Sequence, residues 1–190
     1  MKIFSNVHEF DYSWDEVSVA NWRKYGPWNN KTEHVIGVDT LSRSIDPSTN
    51  ILRTERLITC KQTAPQWVRT FLGSQDESLV YEVSYVDPAA KKVTMCSQNM
   101  TWSDLLSVQE TVVYTSNRTV PGKTMFEQQA KIIALCGGWQ KIKNTIEDLT
   151  VERFRQNAAR GREGFERVLA ISREVFKEQR EQRQRREMAA

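Results

Sequence analysis

Cysteine and histidine are both scarce. Cys60, Cys96 and Cys136 are the only thiols in 190 residues. They are scattered, with no Cys-x-x-Cys pair, which argues against a disulfide framework or a zinc site. The two histidines, His8 and His34, have no nucleophile near them in sequence. An isolated strand histidine more often packs or hydrogen-bonds than catalyses. Gly-x-Ser-x-Gly, His-Glu-x-x-His, the Walker loop and Gly-x-Gly-x-x-Gly are all missing. No catalytic residue, metal or cofactor is therefore expected, and the chain is not expected to be an enzyme. No stretch approaches the roughly 18 consecutive apolar residues of a membrane span. The opening MKIFSNVHEFDYSWDEV lacks a basic n-region with an apolar run and lacks transit-peptide character, so folding from residue 1 without a cleaved signal is expected. Net charge is only +3, much of the basic excess sits in KEQREQRQRREMAA, and aromatics do not alternate with basic clusters. Nucleic acid is a poor fit.

What is present suits one globular domain: 39% hydrophobic and 27% charged residues in a length that supports a real core. Ser13 and Glu16 form a Ser-x-x-Glu capping box. It predicts a short helix to about Tyr25, with Trp14, Val17, Asn21 and Tyr25 on one face. KYGPWNNKTE then breaks it. Strands follow. His34, Ile36 and Val38 are expected on one face, and the turn signal Asp46–Asn50 makes a hairpin of Ile36–Ser44 and Leu52–Lys61. Leu79–Val86 alternates, Asp87–Lys91 turns, and Lys92–Trp102, Leu105–Tyr114 and Lys123–Leu135 read as further strands. With an N-terminal strand from about Lys2 to Phe10, the sheet has about seven members, antiparallel where turns are short. Gly137-Gly138 marks a boundary, and from Trp139 to near Arg186 the period is helical. The fold class is α+β, a sheet curled around its last helix. Residues 1–176 form the domain, and 177–190 are a charged helix end or tail.

The last helix has an anomaly. At about 100° per residue, Ile142, Ile146, Leu149, Ile171 and Val175 share a stripe expected to face inward, yet Arg153, Asn157 and Arg160 interrupt it. A second apolar run, Phe154, Ala158, Phe165 and Leu169, flanks it. Buried unpaired charge is costly. Either carboxylates such as Glu55, Glu82 or Glu127 meet these groups, or they stay wet, or an anion arrives from outside. Arginine forks match phosphate oxygens, and greasy walls with a cationic end suit an amphipathic anion. Within Ala64–Gly73, Trp67, Val68, Phe71 and Leu72 are large and apolar in an expected loop. They read either as a cap on the core or as a lid over a cavity mouth that touches membrane, hinged at Pro65 and Gly73.

The segments MKIFSNVHEFDYSWDEV, RKYGPWN, HVIGVDTLSR, LRTERLIT, APQWVRTFLG, VYEVSYVDP, CSQNMTW and EDLTVERFRQNAARGREGF together resemble the PRELI domain, from Met1 to about Phe176. The start and ERLIT are most similar to its Slowmo-like branch. The resemblance implies a START-like helix-grip cup: a curved seven-stranded sheet on a long C-terminal helix. It implies transfer of an anionic phospholipid across the mitochondrial intermembrane space. Phosphatidylserine supporting phosphatidylethanolamine synthesis is expected. Phosphatidic acid for cardiolipin synthesis, or lipid sensing without transfer, are the alternatives. A hydrolase or cyclase on a similar cup is a further rival. The resemblance also implies a small helical partner with twin Cys-x9-Cys motifs. It assigns head-group contacts to Lys24, His34, Arg153, Asn157 and Arg160, and the lid to Ala64–Gly73. A lysine that some members carry near the end of the ERLIT strand is Cys60 here, and the neighbouring Lys61 belongs to the other face of an ideal strand.

Overall fold

A computed structural model describes residues 1–61, 77–135 and 140–188. Seven strands form one antiparallel sheet: β1 (Lys2–Phe10), β2 (Val35–Ile45), β3 (Leu52–Lys61), β4 (Glu77–Asp87), β5 (Lys92–Asn99), β6 (Leu106–Ser116) and β7 (Thr124–Ala134). Their spatial order is β1-β7-β6-β5-β4-β3-β2. From β2 to β7 each strand thus lies beside its successor and antiparallel to it, while β1 closes onto β7. Helix α1 (Trp14–Asn21) and a 3-10 turn at Asn30–Thr32 lie between β1 and β2, and α2 runs Gln140–Met188. The α+β class, the strand count and the long C-terminal helix agree with the sequence reading. The charged end is helical to Met188.

The capping box opens α1: Ser13 Oγ accepts from Glu16 N at 3.4 Å, and Glu16 Oε2 accepts from Ser13 N at 2.9 Å. The helix stops at Asn21, short of the expected Tyr25, because Arg23 N turns back to Ala20 O at 2.9 Å. Such tightening satisfies end carbonyls without another α turn. Glu16 also holds α2: Arg173 Nε donates to Glu16 Oε1 at 2.7 Å. That bond is the main cause of a Glu16 pKa lowered to about 2, with burial opposing it.

In β2 the expected alternation slips. Val35 pairs with Cys60 and Val38 with Ile58, with a bulge between Val35 and Gly37. Ile36 is therefore an extra residue and is exposed, not a face-mate of His34 and Val38. His34 precedes the strand, its carbonyl accepting from Lys61 N at 2.7 Å. The expected Lys92–Trp102 strand ends at Asn99, since Trp102 has φ 56° and turns the chain.

Phe10, Trp14, Val17, Val93, Met95, Tyr114, Phe165, Val168 and Leu169 form the core between the sheet's inner face and both helices. Phe10 meets Phe165 edge-on at 5.4 Å, a favoured aromatic geometry. The helix seam differs from the expected one. Ile142 is 48% exposed, and Leu149, Ile171 and Val175 are each 39% exposed. The buried face carries Glu147, Gly164, Phe165, Val168, Leu169 and Ser172, with Phe154 and Ala158 half-buried. The run that seemed to flank the seam is the seam. Glu147 belongs to it because Ala134 N donates to its Oε1 at 3.0 Å.

Candidate functional site

The loop after α1 is built to present Lys24 inward. Asn29 is buried, and its Nδ2 donates to Lys24 O at 2.6 Å while its Oδ1 accepts from Lys31 N at 3.2 Å. Helix α2 approaches this clamp so closely that a Cβ at Gly164 would lie 2.5 Å from Asn29 Oδ1 and 2.8 Å from Lys31 Cβ. A glycine is needed there for space. Lys24 itself is half-buried. Its Nζ lies 3.9 Å from Met95 Sδ and 4.9 Å from the centre of the Tyr25 ring. Among the described residues it has no carboxylate partner.

The position of the helix cations follows from α2's anchors. Lys2 meets Asp148 at 3.0 Å and His8 meets Glu166 at 3.2 Å, tying one flank of α2 to the edge strand β1. At about 100° per residue, Arg153, Asn157 and Arg160 fall on the opposite flank. That flank looks across the sheet rather than off its edge. The Asn29 clamp covers it at Gly164, and the three residues lie in the turns just before that point. All three are exposed. His34 is exposed at the surface, and its pKa is lowered, first by partial desolvation and second by the charge of Arg160. Lys24 and His34 both come from the α1–β2 connection, which packs on α2 at Gly164, just beyond Arg153, Asn157 and Arg160.

The sheet's own acids are largely committed elsewhere. Glu55 holds Arg53 and Tyr81, Glu127 is exposed, and Glu82 holds Arg56 in a buried ion pair, with Arg56 Nε 3.0 Å from Glu82 Oε1. Arg56 and Arg43 each place their guanidinium carbon 5.0 Å from the centre of the Trp22 ring. Trp22, Tyr25, Trp28, Val38 and Arg43 border an open hollow of about 590 Å³ beside this pair. Cys60 is half-buried, its thiol pKa raised by burial, whereas Lys61 is exposed at the strand end. The expected lid residues Pro65, Trp67, Val68, Phe71, Leu72 and Gly73 lie outside the described residues.

Sequence reasoning missed a polar row across the concave floor. Thr40 pairs with Arg56, Arg56 with Glu82, Glu82 with Ser97 and Ser97 with Glu110. Gln128, paired with Asn6, extends the row by donating to Glu110 Oε1 at 2.5 Å. The available signal was a polar residue at an inward position of an alternating strand, as with Glu110 between Val108 and Val112. Only the register joins such residues into one row.

Among the described residues no group of histidine, cysteine and acidic side chains could hold a metal ion. No described helix is long and apolar enough to cross a membrane.

Solved structures share the architecture at low identity. The Zhui aromatase/cyclase from Streptomyces sp. R1128 superposes with a TM-score of 0.57 at 7% identity, over 90% of this chain and 93% of that one. A START superfamily protein from Mycobacterium smegmatis gives 0.50 at 13% identity, over 85% and 94%. These likenesses establish the helix-grip fold alone. Sequence relatives are much nearer. "Protein UPS2, mitochondrial" of Saccharomyces cerevisiae is 45% identical over 90% of this chain and 74% of its own length. "UPS-like protein C36.10" of Schizosaccharomyces pombe is 42% identical over 93% and 94%. "Protein slowmo homolog" of Dictyostelium discoideum is 32% identical over 87% and 71%. With residues 15–175 also matching the family's own model, the chain belongs to the PRELI-like family.

Proposed function

We propose that this protein carries one anionic glycerophospholipid at a time through the mitochondrial intermembrane space, and that phosphatidylserine bound for phosphatidylethanolamine synthesis is its principal cargo. It works by binding and release and catalyses no reaction. The observation that carries this reading is Lys24. A half-buried ammonium turned toward the apolar floor at Met95, with no carboxylate partner among the described residues, is suited to a guest's phosphate. His34, Arg153, Asn157 and Arg160 supply further donors for the same head group. The mitochondrial setting is supported by the name of the yeast relative.

In the proposed cycle the protein docks on an anionic membrane, the Ala64–Gly73 segment opens as a lid, and the acyl chains enter over the concave face. A small helical protein with twin Cys-x9-Cys motifs is the proposed stabilising partner. The test is transfer between donor and acceptor liposomes, with that helper present. Lys24→Glu should reduce phosphatidylserine transfer at least tenfold while the melting temperature stays close to that of the parent. Undiminished transfer would remove the phosphate role, and bound lipid that never reaches the acceptor liposomes would make the protein a sensor.

A further inference from the structure

The concave floor carries charge of a second sign. Glu110 is half-buried on β6, on the same strand face as the core residues Val112 and Tyr114 by alternation. Among the described residues its hydrogen-bond donors are neutral: Ser97 Oγ at 3.2 Å to Oε2 and Gln128 Nε2 at 2.5 Å to Oε1. No cation lies within ion-pair distance of it among the described residues. Glu82, the other inward acid of the row, is closed off by Arg56. A carboxylate offers about four lone-pair sites, so Glu110 retains capacity for a charged donor.

A second acceptor nearby is also unmet. Asn21 is 1% exposed, its Nδ2 donates to Met95 Sδ at 3.3 Å, and its Oδ1 has no partner among the described residues. Met95 precedes Ser97 by two positions on the inner face of β5, and Lys24 reaches the same sulfur. Met95 thus joins Lys24 and Asn21 to the strand face that carries Ser97, the residue that holds Glu110. One patch of floor therefore holds a cation suited to phosphate, an acid without a counter-cation and a buried acceptor without a donor.

We infer that Glu110, held by Ser97 and Gln128, recognises the ammonium group of the cargo and makes the site selective for aminophospholipids over lipids that end in a bare phosphate. This rests on the transfer reading above and assigns it a head-group chemistry. A purely cationic site would favour the more negative lipid. An acid on the floor reverses that order, because discrimination needs a group that only one ligand satisfies.

The test has a protein arm and a ligand arm, both using the two-liposome assay with the full chain and its helper. Glu110→Gln should lower the ratio of phosphatidylserine to phosphatidic acid transfer about tenfold, the effect of losing one charge-assisted hydrogen bond. In the parent protein, N-acetylated phosphatidylserine, which keeps phosphate and carboxylate but loses the ammonium, should be carried about tenfold more slowly than phosphatidylserine. The ligand arm decides alone if the variant does not fold. An unchanged ratio in a folded variant, or acetylated lipid carried as fast as the natural one, overturns the role of Glu110 and leaves transfer intact. Failure of the parent to move any phospholipid overturns both readings.

Discussion

Replacing Arg56 by alanine should be among the most damaging single changes to this fold. Arg56 is 3% exposed and Glu82 4%, and they are each other's charge partners across β3 and β4. Removing the guanidinium leaves a carboxylate where water cannot replace it, at a cost of about 3–5 kcal/mol. The guanidinium carbon also sits 5.0 Å from the Trp22 ring centre and 6.0 Å from that of Tyr25, and each lost cation–π contact adds about 0.5–2 kcal/mol. A domain is stable by only about 5–15 kcal/mol, so Arg56→Ala should shift the urea midpoint far down. The double variant Arg56→Met/Glu82→Leu removes both charges and keeps volume. It should lie within about 2 kcal/mol of the parent, since apolar isosteres of a buried pair are often neutral. Denaturant unfolding of the parent, both single variants and the double gives the coupling directly. If Arg56→Ala costs under about 1 kcal/mol, or the double variant loses as much as the singles combined, the pair is not the dry, mutually dependent unit described. Transfer by a folded double variant would further show whether the pair serves the site or only the floor beneath it.

Arg160→Gln should raise the pKa of His34, because one of the two influences lowering it is the Arg160 charge; titration of the ring by NMR reads this, and no change would separate the two residues. Gly164→Val should destabilise by about 2 kcal/mol or more through collision with Asn29 and Lys31, and should weaken lipid transfer as well, since the clamp on Lys24 shifts; thermal melts and liposome transfer together check it. The Glu16 carboxyl, lowered from 4.5 to about 2 by Arg173, contributes stability fully present above pH 4.5 and lost as pH falls through about 2. Solvent screening limits that contribution to about 1 kcal/mol. Acid unfolding of Arg173→Gln should accordingly show a shallower pH dependence than the parent, and identical curves would remove the linkage.

The sheet was legible because its turns are written in residue types: Asp46–Asn50 closes β2 onto β3, with Asp46 Oδ1 accepting from Ser48 N at 2.7 Å, and Asp87–Lys91 closes β4 onto β5. The bulge at Ile36 was not, because an inserted residue looks like ordinary alternation until pairing is known. The rotation of α2 misled for another reason. Its apolar residues cover more of the circumference than the sheet buries, so Ile142 and Leu149 remain exposed while Glu147 is buried against Ala134 N. Arg153, Asn157 and Arg160 stood out from the helical period, and the resemblance named them together with Lys24 and His34. The direction in which their flank of α2 faces needed the anchors on β1 and the Asn29 clamp. The row through Glu110 was invisible because its members come from different strands and meet only by register.

On the proposed function, the two halves of the site divide the energetics. Acyl burial gains about 0.8 kcal/mol per methylene, but a bilayer offers the same chains nearly the same gain, so the difference that drives loading is small and exchange stays fast. The head group is different, since leaving the membrane surface costs it water and counter-ions. Lys24 and the helix cations can offset the phosphate's share for any anionic phospholipid, so they set whether a lipid is carried at all. The remaining floor acceptors can offset only a donor's share, so they set which lipid is preferred. The two classes of variant must then differ in kind: Lys24→Glu lowers transfer across head groups, and Glu110→Gln changes the ratio between them. A panel in which both variants scaled every lipid equally would show that the floor does not read the head group.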